Sequence, residues 1–122
     1  MKLLYVEDNR GIAQIVAKTL RLAGHDVTLL HGYADALEVG EYHDVGLFDL
    51  SLPDGDGIDL CERLLAAQRI GAALFCSGSI DDLLLARAAE TAPLIAKDAT
   101  SAELERALAA VARSGNALRR FE

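Results

Sequence analysis

Basic residues are in short supply in this sequence: 12 Lys plus Arg stand against 19 Asp plus Glu among 122 residues, a formal charge of −7. Phosphate backbones and anionic lipid surfaces repel such a chain, so neither nucleic acid nor membrane is an expected direct partner. Cysteine is nearly absent. Cys61 and Cys76 are the only two, too few for a secreted disulfide scaffold and without the C-x-x-C spacing of zinc or redox chemistry. No apolar run approaches the roughly 18 residues of a membrane span, and no charged leader followed by a long apolar stretch opens the chain. The expected location is the cytoplasm. Internal repeats, low-complexity tracts and linkers rich in Pro, Gly or Ser are also missing. The length suits one globular domain over residues 1–122, with no room for a separate output module.

What the sequence does contain is alternation. Short apolar runs at 3–6, 27–30, 45–48, 72–76 and 94–96 read as strands. Between them lie segments of helical spacing. Ile12, Ile15, Val16, Leu20 and Leu22 give the first helix an apolar face, with Asp8 or Asn9 as its cap and Gly24 at its end. Further helices are expected over 34–39, 58–68 and 80–90. A last one runs from Thr100 or Ser101 through Ala112, with Glu103 completing a capping signature and Arg113 and Gly115 at its close. Continuous apolar strands separated by helices imply a parallel sheet covered on both faces. The expected fold is α/β: a doubly wound, flavodoxin-like (βα)5 arrangement with strand order 2-1-3-4-5 and the functional site at the carboxyl ends of the strands.

Those strand ends carry the chemistry. Glu7 and Asp8 follow the first run, Asp49 the third, Ser77 the fourth and Lys97 the fifth, whereas the second run ends at Leu30 and His31 with nothing acidic. An edge position for the second strand accounts for the exception. Clustered carboxylates repel one another unless a cation neutralises them. Mg²⁺ suits Asp8 and Asp49, with Glu7 reaching the ion through water, because it prefers octahedral oxygen donors. With Mg²⁺ and Lys97 offsetting charge on a phosphoryl group, Asp49 is placed to attack phosphorus and form an aspartyl-phosphate, while Ser77 hydrogen-bonds the transferred group.

The runs Leu3-Leu4-Tyr5-Val6-Glu7-Asp8-Asn9, Gly46-Leu47-Phe48-Asp49-Leu50-Ser51-Leu52-Pro53-Asp54-Gly55-Asp56-Gly57, Cys76-Ser77-Gly78 and Ala96-Lys97 resemble the response-regulator receiver domain of two-component signal transduction, the CheY-like superfamily, over the whole length. The resemblance implies a bacterial phosphoprotein whose acceptor is Asp49. It implies a Mg²⁺ site of Glu7, Asp8, Asp49 and the Ser51 backbone carbonyl, with Ser77 as switch hydroxyl and Lys97 as phosphate-contacting ammonium. The implied donor is a sensor histidine kinase or a histidine phosphotransfer protein of a phosphorelay. The implied output is binding to a downstream protein, as a monomer or a phosphorylation-dependent dimer. In such proteins the domain supplies most of its own phosphotransfer chemistry and slowly hydrolyses its acyl phosphate, a timed switch rather than a metabolic enzyme. Ser51 and Ser79, beside the acceptor and switch positions, are candidates for tuning hydrolysis.

Two positions depart from the family pattern. Asp98 follows Lys97 where many receivers have proline, and Leu94 replaces the usual aromatic whose burial reports the switch hydroxyl. Other readings stand beside the main one: a phosphorylation-independent adaptor, the front part of a longer DNA-binding regulator, and a hydrolase or phosphotransferase with an aspartate nucleophile. Glu7-Asp8 alone also reads as a helix cap. Asp54-Gly55-Asp56-Gly57 lacks the later ligands of a calcium loop and reads as a turn. Cys61 and Cys76 read as core, and His25, His31 and His43, sharing no ligand spacing, as loop or surface residues. Arg113, Arg119 and Arg120 read as a solvated helix terminus.

Overall fold

A computed structural model describes residues 1–114; Gly115, Arg119 and Arg120 lie outside the described residues. Strands β1 (Lys2–Val6), β2 (Asp26–Leu30), β3 (His43–Asp49), β6 (Ile70–Ser77) and β7 (Leu94–Ala96) form one sheet, ordered β2-β1-β3-β6-β7. Every neighbouring pair in it is parallel. That is the expected 2-1-3-4-5 arrangement, since β4 (Ser51–Leu52) and β5 (Gly55–Asp56) form a separate antiparallel hairpin. The hairpin was not expected. Two-residue strands carry no periodicity to read, and the turn and β5 hold Asp54 and Asp56, the acids of the calcium-like stretch.

Side-chain alternation divides the core in two. Leu4 and Val6 of β1 point with Phe48 and Phe75 towards helices α2 (Tyr33–Leu37), α3 (Gly57–Ala66) and α4 (Asp82–Thr91). Leu3 and Tyr5 point with Leu47 and Leu74 towards α1 (Arg10–Leu22) and α5 (Ser101–Ser114). Extending that second series leads to Glu7, just past the end of β1, after Tyr5 and to Asp49, the last residue of β3, after Leu47. The two acids therefore leave the sheet on the same face, the one covered by α1 and α5.

Local chemistry sets the helix limits. Asn9, not Asp8, caps α1 by accepting from the Ile12 N–H at 3.1 Å, an interaction that contributes about 1 kcal/mol. Thr100 and Glu103 form the reciprocal capping box expected for α5, at 2.9 and 3.1 Å. Gly24 (φ 97°) and Gln68 (φ 57°) take left-handed conformations just beyond α1 and α3. The fourth expected helix begins later than its apolar pattern suggests, because Asp81 caps it and leaves Ile80 outside.

His43 corrects one expectation. Rather than lying on a loop or at the surface, it is 1% exposed at the start of β3. Its Nδ1 donates to the Glu41 carbonyl at 3.0 Å and its Nε2 meets Thr28 Oγ1 at 2.9 Å. Strand pairing begins ahead of the apolar run, and a buried imidazole is tolerated because both ring nitrogens are satisfied.

Candidate functional site

The ends of β1, β3, β6 and β7 bring the expected residues together. One ligand atom each from Glu7, Asp8 and Asp49 lies within 4.8 Å of the others. Glu7 is buried, Asp8 exposed and Asp49 partly buried. Lys97 Nζ bridges two of them, at 2.9 Å from Glu7 Oε1 and 3.1 Å from Asp49 Oδ2. Its own N–H donates to the Ser77 carbonyl at 3.2 Å, joining the ends of β6 and β7. The Asn9 N–H donates to Glu7 Oε2 at 3.2 Å and the Ser51 N–H to Asp49 Oδ1 at 3.4 Å. Glu7 is thus committed inward, and the helix-cap reading of Glu7-Asp8 fails on geometry.

The electrostatics follow from burial. Desolvation raises the Glu7 pKa above the ordinary carboxylate value, and the neighbouring charge of Asp49 adds to it, against the opposing contacts from Lys97 and Asn9. Burial alone would lower Lys97, but hydrogen bonds to Glu7 and Asp49 outweigh it and hold the ammonium above its usual value. Three clustered carboxylates with a single ammonium between two of them remain net negative. Their all-oxygen donor set, one member open to solvent, fits a hard divalent cation such as Mg²⁺.

Lys97→Met tests this balance. Because the folded-state pKa of Glu7 is raised, its contribution to stability is present below the unfolded value of 4.5 and declines as pH rises through the folded value. Removing the ammonium enlarges that loss. A fully buried broken pair costs several kcal/mol, but a quarter of the Lys97 side chain is exposed, so about 1–2 kcal/mol is expected at neutral pH and less in acid. Urea midpoints of both proteins at acid and neutral pH measure the difference; a gap independent of pH refutes the assignment.

Other expected residues fall as follows. Ser77 is 9% exposed at the end of β6, and its Oγ accepts from the Ser79 N–H at 2.9 Å. Ser51 is exposed in β4. Leu94 is half-buried opposite Phe75. Burial pushes the Cys76 thiol up to about 11, leaving it protonated at neutral pH, while Cys61 is fully buried in the core. The two acids of the calcium-like stretch are engaged elsewhere. Asp54 accepts from the Tyr33 and Ala34 N–H groups at 2.7 and 3.1 Å, and Asp56 caps α3 and pairs with Arg87 at 2.7 Å.

Two contributors escaped sequence reasoning. His31 Nδ1 donates to the Glu7 carbonyl at 2.9 Å, fixing the turn that carries Glu7 and Asp8. Gly57 packs so tightly that a Cβ there would sit 1.9 Å from the Asp49 carbonyl oxygen. The His31 contact is non-local and has no sequence signature. Gly57 was visible as part of a motif, but its steric role was not.

The family model of the response regulator receiver domain matches residues 3–109. The transcriptional regulatory protein SpaR of Bacillus subtilis is 33% identical over 64 residues, 52% of this chain and 29% of SpaR. The swarming motility regulation protein RssB of Serratia marcescens is 36% identical over 74 residues, 58% of this chain and 32% of RssB. The matches therefore span about a third or less of these relatives. Among solved structures, the BeF3-activated N-terminal receiver domain of Klebsiella pneumoniae RstA superposes with a TM-score of 0.83 at 28% identity, covering 93% of this chain and 99% of that one. A CheY-like receiver domain protein from Methanospirillum hungatei gives 0.83 at 20% identity, over 93% and 94% of the two chains, a likeness of fold.

Proposed function

The chain belongs to the response regulator receiver domain family, and from that premise we propose that it is a phospho-accepting switch whose acceptor is Asp49. The observation that carries the reading is the Lys97 ammonium held between Glu7 and Asp49 beside exposed Asp8. Glu7, Asp8, Asp49 and the Ser51 carbonyl would hold Mg²⁺, which when bound would offset charge on the incoming phosphoryl oxygens. An Asp49 carboxylate oxygen bonds to phosphorus as the bond from phosphorus to the donor imidazole nitrogen breaks. The electron pair stays with the imidazole, which takes up a proton. Lys97 contacts the phosphoryl oxygens and Ser77 turns its hydroxyl towards them. Attack of water on phosphorus later returns the carboxylate and inorganic phosphate, with Ser51 and Ser79 flanking the site and tuning the rate. Catalysis of both steps by the domain is part of this proposal.

The donor is a sensor histidine kinase or a histidine phosphotransfer protein. Its docking on α1 is supported by exposed Ile15 and Leu22 flanked by Arg10, Lys18 and Arg21, a helix without acids in an acidic chain. Residues 1–122 act as one receiver unit whose output is a protein contact. No helix among the described residues is long and apolar enough to cross a membrane, which accords with a cytoplasmic location. A second reading, an adaptor that works without phosphorylation, is favoured only by Leu94.

Incubation with Mg²⁺ and acetyl phosphate is expected to add one phosphoryl mass, an addition that chelating the Mg²⁺ beforehand abolishes. Mass spectrometry of the intact protein reads the result. An unchanged mass under saturating donor overturns the proposal in favour of the adaptor.

A further inference from the structure

Ser77 sits at one end of a ladder of side-chain to backbone hydrogen bonds. Its Oγ accepts from the Ser79 N–H at 2.9 Å, Ser79 Oγ accepts from the Asp81 N–H at 3.1 Å, and Asp81 Oδ1 accepts from the Leu83 and Leu84 N–H groups at 3.0 and 3.3 Å. The ladder runs without a break from the switch hydroxyl to the first turn of α4. Each rung uses the side-chain oxygen of one residue to hold the backbone two or three residues further on, so displacing one oxygen loosens the next rung.

The helix at the far end is lightly held. Ala88 is its only fully buried residue, with Leu84 and Leu85 partly buried against the core, and its side-chain ties to α3 and the hairpin include Arg87 to Asp56 at 2.7 Å and Thr91 to Glu62 at 3.3 Å, both beyond the first turn. Few buried apolar contacts mark a segment of low local stability. Ile80 and Leu83, inside the ladder, are 93% and 84% exposed. Leu94 has no hydroxyl or ring with which to follow the movement of Ser77.

We propose that Ser79 is the coupling residue of the switch, a positioning residue whose hydroxyl relays the place of Ser77 to Asp81, the cap of α4. This rests on Asp49 being the phosphoacceptor. When Ser77 turns to a phosphoryl group on Asp49, the Ser79 N–H loses its acceptor, the loop from Gly78 to Ile80 shifts, and Asp81 releases the first turn of α4. Ile80 and Leu83 then change position, and the apolar surface presented to a downstream protein changes with them.

The test is amide hydrogen exchange at Leu83 and Leu84, with intact mass measured on the same samples, before and after Mg²⁺ and acetyl phosphate. In the wild type, phosphorylation is expected to speed exchange there roughly fivefold, the effect of one hydrogen bond. Ser79→Ala is expected to exchange faster from the start, to take up phosphate, and to show no further increase. Ser79→Thr restores the wild-type pattern. Gly78→Ala, whose Cβ would make an ordinary 3.8 Å contact with Lys97 Cδ, keeps it. A purely structural Ser79 would raise the baseline in the alanine variant and leave the phosphorylation-dependent increase intact. Equal increases in wild type and Ser79→Ala, with adduct present in both, overturn the coupling alone. No adduct on the wild type overturns the phosphoacceptor reading and the coupling with it.

Discussion

Asp49→Asn will take up no phosphoryl group under conditions that saturate the wild type, and it will lose little or no stability. The substitution keeps the shape of the side chain and removes its nucleophile, since an amide oxygen bonded to phosphorus has no carboxylate charge to surrender. Electrostatics decide the stability side. Asp49 is one of the charges that raise the pKa of buried Glu7, so neutralising it relieves like-charge repulsion among three carboxylates. Against this, Lys97 Nζ exchanges a charged acceptor at 3.1 Å for a neutral one. The two effects oppose each other at a partly exposed site, and the net change is expected within about 1 kcal/mol. The response to Mg²⁺ separates the variants further. At tenfold excess over its dissociation constant, a bound ion stabilises the wild type by roughly 1.4 kcal/mol, and Asp49→Asn should lose most of this. Intact mass and melting temperatures with and without Mg²⁺ measure both halves. Continued phosphorylation of the variant would show the acceptor to lie elsewhere, and an undiminished thermal shift with Mg²⁺ would remove Asp49 from the metal site.

Local patterns carried most of the fold, because burial on both faces leaves continuous apolar runs and the helical segments between them point to a parallel sheet. The run at 94–96 coincides with β7, and Glu7, Asp49, Ser77 and Lys97 could be found by reading the residues at or just beyond each run. Their convergence was open to inference because parallel strands put all carboxyl ends on one side. What stayed hidden depends on contacts between distant segments. His43 pairs with Thr28 across 15 positions and His31 with Glu7 across 24, and nothing in either neighbourhood distinguishes a structural imidazole from a surface one. The late start of α4 has a different cause. Ile80 fits the helical periodicity, but the Asp81 carboxylate competes for the first amides and wins. That same competition builds the ladder from Ser77, so the place where periodicity misleads is also the place where the loop is engaged with the Ser77 hydroxyl.

Gly57→Ala should be the most damaging glycine-to-alanine change among the described residues, for a reason unrelated to backbone torsion. Gly57 begins α3 with its N–H donating to the Leu50 carbonyl at 2.9 Å, and its φ is not among the positive values. A Cβ there would meet the Asp49 carbonyl oxygen at 1.9 Å and the Leu50 carbonyl oxygen at 3.0 Å. Both obstacles are backbone, so no rotamer change relieves them. Either the start of α3 retreats from the sheet or the segment carrying Asp49 moves, and a shift of the acceptor disturbs its contacts with Lys97 and Ser51. Overpacking typically costs 1–3 kcal/mol, and a backbone collision this close belongs at or above the upper end. Two other glycines isolate the cause. Gly40→Ala meets nothing within 4 Å, at a position without positive φ, and should be neutral or slightly stabilising by about 0.4–1 kcal/mol through the unfolded chain. Gly24→Ala has equal space but φ of 97°, and should cost more than that gain. Urea unfolding of the three variants is expected to rank Gly57 worst, then Gly24, then Gly40. The folded fraction of Gly57→Ala should also accept phosphate at least tenfold more slowly, the effect expected when a reacting group is misplaced by a fraction of an ångström to an ångström. A Gly57→Ala protein within 1 kcal/mol of wild type and phosphorylated at the normal rate would show that the acceptor strand tolerates a displacement this packing forbids.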